Sequence, residues 1–252
     1  MKLKDNVIIK RILISGICFI HFLVLLFFIF VDGVAKKGSS GVSGFIEQDS
    51  LRKTLGDWYQ LVFYTFHINI YFSITGMLYG FFYQNNIIKN LFFCAVSYML
   101  LCLFAMFVFR FNSFKTNMYE SIKTLSVHGI APTISLIMLF SIRKEIILDW
   151  KILILNSFYI TFYIILTLII YYNFKFTPDT SYPNKPLWIY GFLDYDNQIM
   201  FIPLNTMTST IIGITFLLLI TPMVGMVLFI FMKLIFNIKM NDKKLKRKNQ
   251  TL

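Results

Sequence analysis

The chain has 252 residues, of which 57% are hydrophobic, 18% aromatic and only 14% charged. Soluble domains carry about 25% charged residues, so a soluble enzyme, a DNA-binding module and a disordered scaffold are all excluded for the chain as a whole. What remains is a multi-pass membrane protein forming a single integral-membrane domain over residues 1–252, whose net charge of +12 bears on orientation.

A bilayer core of about 30 Å is crossed by about 20 apolar helical residues. Six stretches supply them: Ile12–Val31, Trp58–Tyr83, Leu91–Phe109, Leu125–Ile142, Ile152–Tyr172 and Ile211–Met232. Transmembrane strands need only about ten alternating residues, so runs this long predict an all-α fold, a six-helix transmembrane bundle. Lys2, Lys4, Lys10 and Arg11 precede the first run and Gly33-Val34-Ala35 follows it, as in a signal peptide. Its apolar core is longer than the roughly 7–15 residues of a signal h-region, which predicts a retained helix.

With six spans both termini share a side, and that side collects 15 Lys and Arg residues against 9 on the other. The positive-inside rule then puts both termini in the cytoplasm, in a cell (plasma) membrane. The basic tail, 237–252, holds Lys243, Lys244, Lys246, Arg247 and Lys248 directly after the last run. There it is expected to rest on anionic lipid head groups, not on nucleic acid. Of the two long outer connections, 32–57 reads as a solvated loop. The other, 173–205, holds Trp188, Tyr190, Phe192, Tyr195 and Phe201 beside Asp194 and Asp196, and should lie against the bundle or the head groups.

Cys18, Cys94 and Cys102 lie within apolar runs without CxxC spacing and read as packing residues. No phosphate-binding glycine loop, HExxH or GxSxG occurs, and none of the twelve acidic residues lies deep in a run. Neither a metal nor a cofactor is expected.

All three histidines, His21, His67 and His128, fall inside runs, where an ionisable residue tends to face the bundle interior. In the second run Thr65, Asn69, Ser73, Gly76 and Gly80 occupy an arc of about 80° at about 100° per residue. Such a stripe suits a close helix seam, although Asn69 brings donors and an acceptor that a seam does not require. His67 points away from the stripe, and His21 has no polar companion at helical spacing beyond Cys18. Both are expected to be dispensable. In the fourth run Pro132 follows His128 by four residues and Ser135 continues its face. The missing proline N–H predicts an exposed carbonyl or a small cavity beside His128.

Runs two and four cross in the same direction. Counting from Trp58 places Thr65 about 10 Å deep, and counting from Leu125 places His128 about 5 Å deep or more. A hydroxyl and an imidazole can therefore share the outer half of the bundle, where a threonine activated by a neighbouring base can attack an acyl carbon.

Three segments resemble a known family. Tyr64-Thr65-Phe66-His67-Ile68-Asn69, Val127-His128-Gly129-Ile130-Ala131-Pro132 and Tyr190-Gly191-Phe192-Leu193-Asp194 are similar, in order and spacing, to motifs of bacterial and mollicute membrane proteins related to the androgen-induced protein family. Gly191 stands where that family commonly has proline. The resemblance covers about residues 58–235 and implies a six-helix intramembrane hydrolase of fatty-acid esters, with Thr65 as nucleophile and His128 as base. Asn69, Ser73, Tyr190 and Asp194 would then bind substrate or stabilise an oxyanion, with membrane acyl esters as substrate. The other reading of the same residues is a non-enzymatic membrane protein that binds or transports a lipid or small solute.

Overall fold

A computed structural model of the chain describes residues 2–32, 61, 63–105, 118–174, 193–194, 198–199, 202–203 and 207–241. It is mostly helical. In chain order the helices are α1 (Lys2–Phe30), α2 (Tyr64–Phe81), α3 (Asn86–Ala105), α4 (Met118–Thr124), a π-helical segment (Leu125–Ile130), α5 (Ala131–Ile142), a 3₁₀ turn (Arg143–Glu145), α6 (Trp150–Ser157), α7 (Tyr159–Phe174) and α8 (Met207–Phe236). Five two-residue strands accompany them: β1 (Ile147–Leu148), β2 (Leu193–Asp194), β3 (Gln198–Ile199), β4 (Ile202–Pro203) and β5 (Lys239–Met240).

Five helical stretches are long and apolar enough to cross a membrane: Val7–Phe30, Asn86–Phe104, Ser121–Glu145, Trp150–Asn173 and Met207–Phe236. They correspond to runs one, three, four, five and six. The second run yields α2, which is only 18 residues long and begins at Tyr64 after an extended Phe63. Thr65, His67, Asn69, Ser73, Thr75 and three tyrosines keep α2 out of the apolar class, and half of that polarity is turned inward: Asn69, Ser73, Thr75 and Tyr79 are all buried. The fifth run is two helices, α6 and α7, broken at Phe158.

Lipid tails are as apolar as leucine, so helices associate in a membrane through close packing and interhelical hydrogen bonds, not through hydrophobic burial. Both are visible here. The centre is α3, in which Phe92, Phe93, Cys94, Ala95, Val96, Tyr98 and Met99 are fully buried. Its partners include Phe72 and Tyr79 from α2 and Phe229 from α8, with ring centroids 5.2–6.2 Å apart. The stripe on α2 faces α1. A methyl group on Gly76 would overlap Cys18 Sγ, and one on Gly80 would overlap Ser15 Cβ, so the two helices touch because both positions lack a side chain. All three cysteines are buried thiols. The opposite faces of the spans, including Ile12, Phe19, Phe27, Phe162, Leu219 and Phe231, are exposed and apolar.

One end of the bundle is tied by polar contacts. Arg11 donates to the carbonyl of Gly80 at 2.8 Å and lies over the Tyr83 ring at 3.6 Å. Lys10 donates to the carbonyl of Ser141. Asn86 and Asn90 both donate to the carbonyl of Ile147 at 2.9 Å, and Asp149 caps α6 through Lys151 N–H. At the end of α8, Asn237 adopts a left-handed conformation (φ 49°) and Ile238 N–H returns to the Lys233 carbonyl, the Schellman ending that asparagine tolerates. The chain then runs into β5, which pairs in parallel with β1. Residues near the N-terminus, the 143–149 turn and the segment after α8 thus gather at the same end.

At the other end Asp32, only 3% exposed, forms an ion pair with Lys123 at 2.8 Å and accepts from the Tyr119 hydroxyl. Strands β2, β3 and β4 form an antiparallel meander within the aromatic 173–205 connection, placing Leu193 opposite Ile199 and Asp194 opposite Gln198. Residues 33–57 of the expected 32–57 loop, Tyr190 and residues 242–252 of the 237–252 tail lie outside the described residues, and of Asp194 only the backbone is described.

Candidate functional site

The site grows out of a break in one helix. Where an α-helix would pair Ala131 N–H with the Val127 carbonyl, the π-segment sends it to the Ser126 carbonyl instead. The next possible donor to Val127 is residue 132, and Pro132 has no N–H. The Val127 carbonyl is therefore left without a helical partner at membrane depth, where an unsatisfied backbone group is costly. Asn69 supplies the missing donor from α2, its Nδ2 lying 3.3 Å from Val127 O. The exposed carbonyl expected beside His128 is thus present one residue earlier, displaced by the π register.

Asn69 is fully buried and both of its amide hydrogens are engaged. Its Nδ2 also donates to the Thr65 carbonyl at 2.7 Å, and its Oδ1 lies 2.8 Å from His21 Nε2 on α1. Carbonyl oxygens can only accept, so the two carbonyls fix the amide orientation and turn Oδ1 towards His21. His21 Nε2 must then carry a proton. One side chain joins α1, α2 and the π-segment.

Around this node the residues singled out from the sequence take definite places. Thr65 sits in the first turn of α2, much nearer its helix mouth than a count from Trp58 suggested, because α2 starts at Tyr64. His128 lies ten residues into the continuous α4–π–α5 rod, about 15 Å from its start at Met118. Asn69 links the backbones of these two segments through its bonds to Thr65 O and Val127 O. The His128 ring is turned to α3, with Nδ1 3.4 Å from the Cys102 carbonyl. Facing an acceptor, Nδ1 is the nitrogen that carries a proton. Ser73 is buried one turn below Asn69 and donates to the Asn69 carbonyl at 2.8 Å. Both amide hydrogens of Asn69 are engaged, so donation to an oxyanion requires release of the longer bond, that to Val127.

His21 has no polar companion at helical spacing on its own helix beyond Cys18, but across the seam it meets Asn69 on α2. His67, expected to be a packing residue, meets the Tyr163 ring edge-on at 5.5 Å and also makes a hydrogen bond with the Leu61 backbone. A second polar knot was not legible at all. The Tyr71 and Tyr98 hydroxyls both donate to Asn156, to its side-chain and backbone oxygens, one residue before the end of α6. Tyrosine hydroxyls in the middle of an apolar run are the signal that could have found it. Among the described residues no group of three His, Cys, Asp or Glu side chains is placed to hold a metal ion.

The fold and this interior polar node define the class, an all-α membrane protein with at least five helices able to span. Comparison with protein-family models, curated proteins and solved structures found no match.

Proposed function

We propose that the chain is an intramembrane hydrolase of lipid fatty-acid esters, with Thr65 as nucleophile and His128 as base. The observation that carries this reading is the Asn69 node, which couples the helix mouth bearing Thr65 to the π-turn bearing His128. π-turns of this kind occur often at functional sites. In the reaction the Thr65 hydroxyl gives its proton to His128 Nε2 while its oxygen bonds to the ester carbon. The proton then passes to the departing alcohol, and water releases the fatty acid from Thr65 by the reverse route. The Cys102 carbonyl, holding Nδ1–H, does for His128 what a carboxylate does in other triads. A Thr65 in the first turn of its helix suits an ester carbonyl at the head-group boundary, whose acyl chain lies beside the bundle.

The same reading places six helices across a plasma membrane, with α2 as the sixth and both termini in the cytoplasm. Support comes from the Lys10–Ser141 bond and the β1–β5 pairing, which bring Lys10 of α1 and Lys239–Met240 of β5 to the basic 143–151 segment, and from the 15-to-9 distribution of Lys and Arg. The basic tail then meets anionic head groups.

A specific observation also favours a non-enzymatic lipid- or solute-binding protein: both hydrogens of the Asn69 amide are taken by protein carbonyls and its oxygen faces His21, as in a purely architectural knot. A fluorophosphonate probe on the purified protein separates the two. Labelling that vanishes in Thr65→Ala and His128→Ala is the expected result. Folded protein that neither labels nor releases fatty acid from ester substrates would refute the hydrolase.

A further inference from the structure

We infer that His21, on the first helix, is a positioning residue for His128, acting through Asn69 on the π-turn. Its catalytic consequence rests on the hydrolase reading above; the positioning itself does not.

Asn69 is where the coupling between α1 and the π-turn is made. An amide side chain can be flipped, and a flip would set Oδ1 against the Thr65 and Val127 carbonyls, acceptor against acceptor. What opposes the flip on the far side is the His21 Nε2–H, 2.8 Å from Oδ1. His21 therefore reinforces the two carbonyls in holding Asn69 in the one orientation that supplies a donor to Val127 O. That carbonyl has lost both of its own helical donors, one to the Ala131–Ser126 bond and one to Pro132. Without the Asn69 donor, the π register over Leu125–Ile130 leaves a bare carbonyl. A shift to α register would turn the upper part of the rod by about 100° relative to α5 and swing His128 with it. The small-residue seam brings α1 close enough for this contact: Gly76 and Gly80 meet Cys18 and Ser15, and His21 follows Cys18 by one turn less a residue. The first helix is on this account part of the site, although it contributes no atom to the reaction.

The test uses the full chain in lipid nanodiscs, with hydrogen exchange read by mass spectrometry over residues 121–133 and over 92–101 of α3. His21→Leu should raise exchange in 121–133 by about tenfold, the effect of one lost hydrogen bond, and leave α3 unchanged. His21→Gln, which still offers an N–H to Asn69, should return exchange to the wild-type level. Asn69→Leu should match His21→Leu, and the double variant should be no worse than either. Wild-type exchange in His21→Leu, or a rise shared by α3, overturns the inference. Fluorophosphonate labelling of the same proteins gives the second readout: His21→Leu should label about tenfold more slowly, with recovery in His21→Gln. A wild type that never labels removes the hydrolase alone, and the exchange pattern then decides the role of His21 by itself.

Discussion

Replacing Gly80 by alanine should loosen the contact between α1 and α2 and, through it, the polar node. A methyl group there would overlap Ser15 Cβ, with Ser15 Oγ at 2.8 Å and the Arg11 carbonyl at 3.3 Å. A Cβ atom cannot rotate out of the way, and carbon atoms settle at about 3.5–4.0 Å, so α1 must move off by about 1 Å. Overpacking of this kind costs about 1–3 kcal/mol. The shift also strains the Arg11 bond to the Gly80 carbonyl, an interhelical contact worth about 0.6 kcal/mol in a membrane. Alanine returns up to about 1 kcal/mol in helix propensity, leaving a net loss of about 1–2 kcal/mol. Gly76→Ala should cost less, because its nearest obstacle is the Cys18 sulfur at the tip of a side chain, although Cys18 Cβ at 3.0 Å and Phe92 at 3.2 Å limit the escape. Gly16→Ala is the control: nothing lies within 4 Å of its added methyl, so its stability should equal or exceed that of the wild type. Equilibrium unfolding in mixed micelles measures all three. A Gly80→Ala protein as stable as Gly16→Ala would refute the close-seam account.

Two further predictions follow from the ends and the centre of the bundle. Single cysteines introduced at Ser40 and Asn249 should react with an impermeant maleimide from opposite sides of the membrane, against low background because Cys18, Cys94 and Cys102 are buried; labelling of both from one side would reject the proposed topology. Pro132→Ala restores an N–H that can reach the Val127 carbonyl in the π register, so it should cancel much of the loss caused by Asn69→Leu, about 1 kcal/mol by membrane hydrogen-bond values; additive losses in the double variant would show that Asn69 does not serve that carbonyl.

Much of this protein was legible along the chain. Apolar runs set by bilayer thickness located the long helices, because in lipid the backbone of each span must satisfy itself within its own segment. The proline rule likewise foretold a freed carbonyl near His128, and the 4-4-3-4 stripe foretold a seam. Boundaries were less legible: α2 begins at Tyr64 and not near Trp58, so Thr65 lies at a helix mouth, and the α6–α7 break at Phe158 left no glycine or proline to announce it.

What only the tertiary structure decided is who answers whom across helices. His21 and Asn69 are 48 residues apart, and Asn69 and Val127 are 58 apart. Helical periodicity reports neighbours on one face of one helix and is silent about a partner on another. The sequence by itself determined that polar groups would be buried in a bilayer and would need partners. Which atoms meet depended on the α1–α2 contact distance allowed by Gly76 and Gly80 and on the π register at Leu125–Ile130, both properties of the packed bundle.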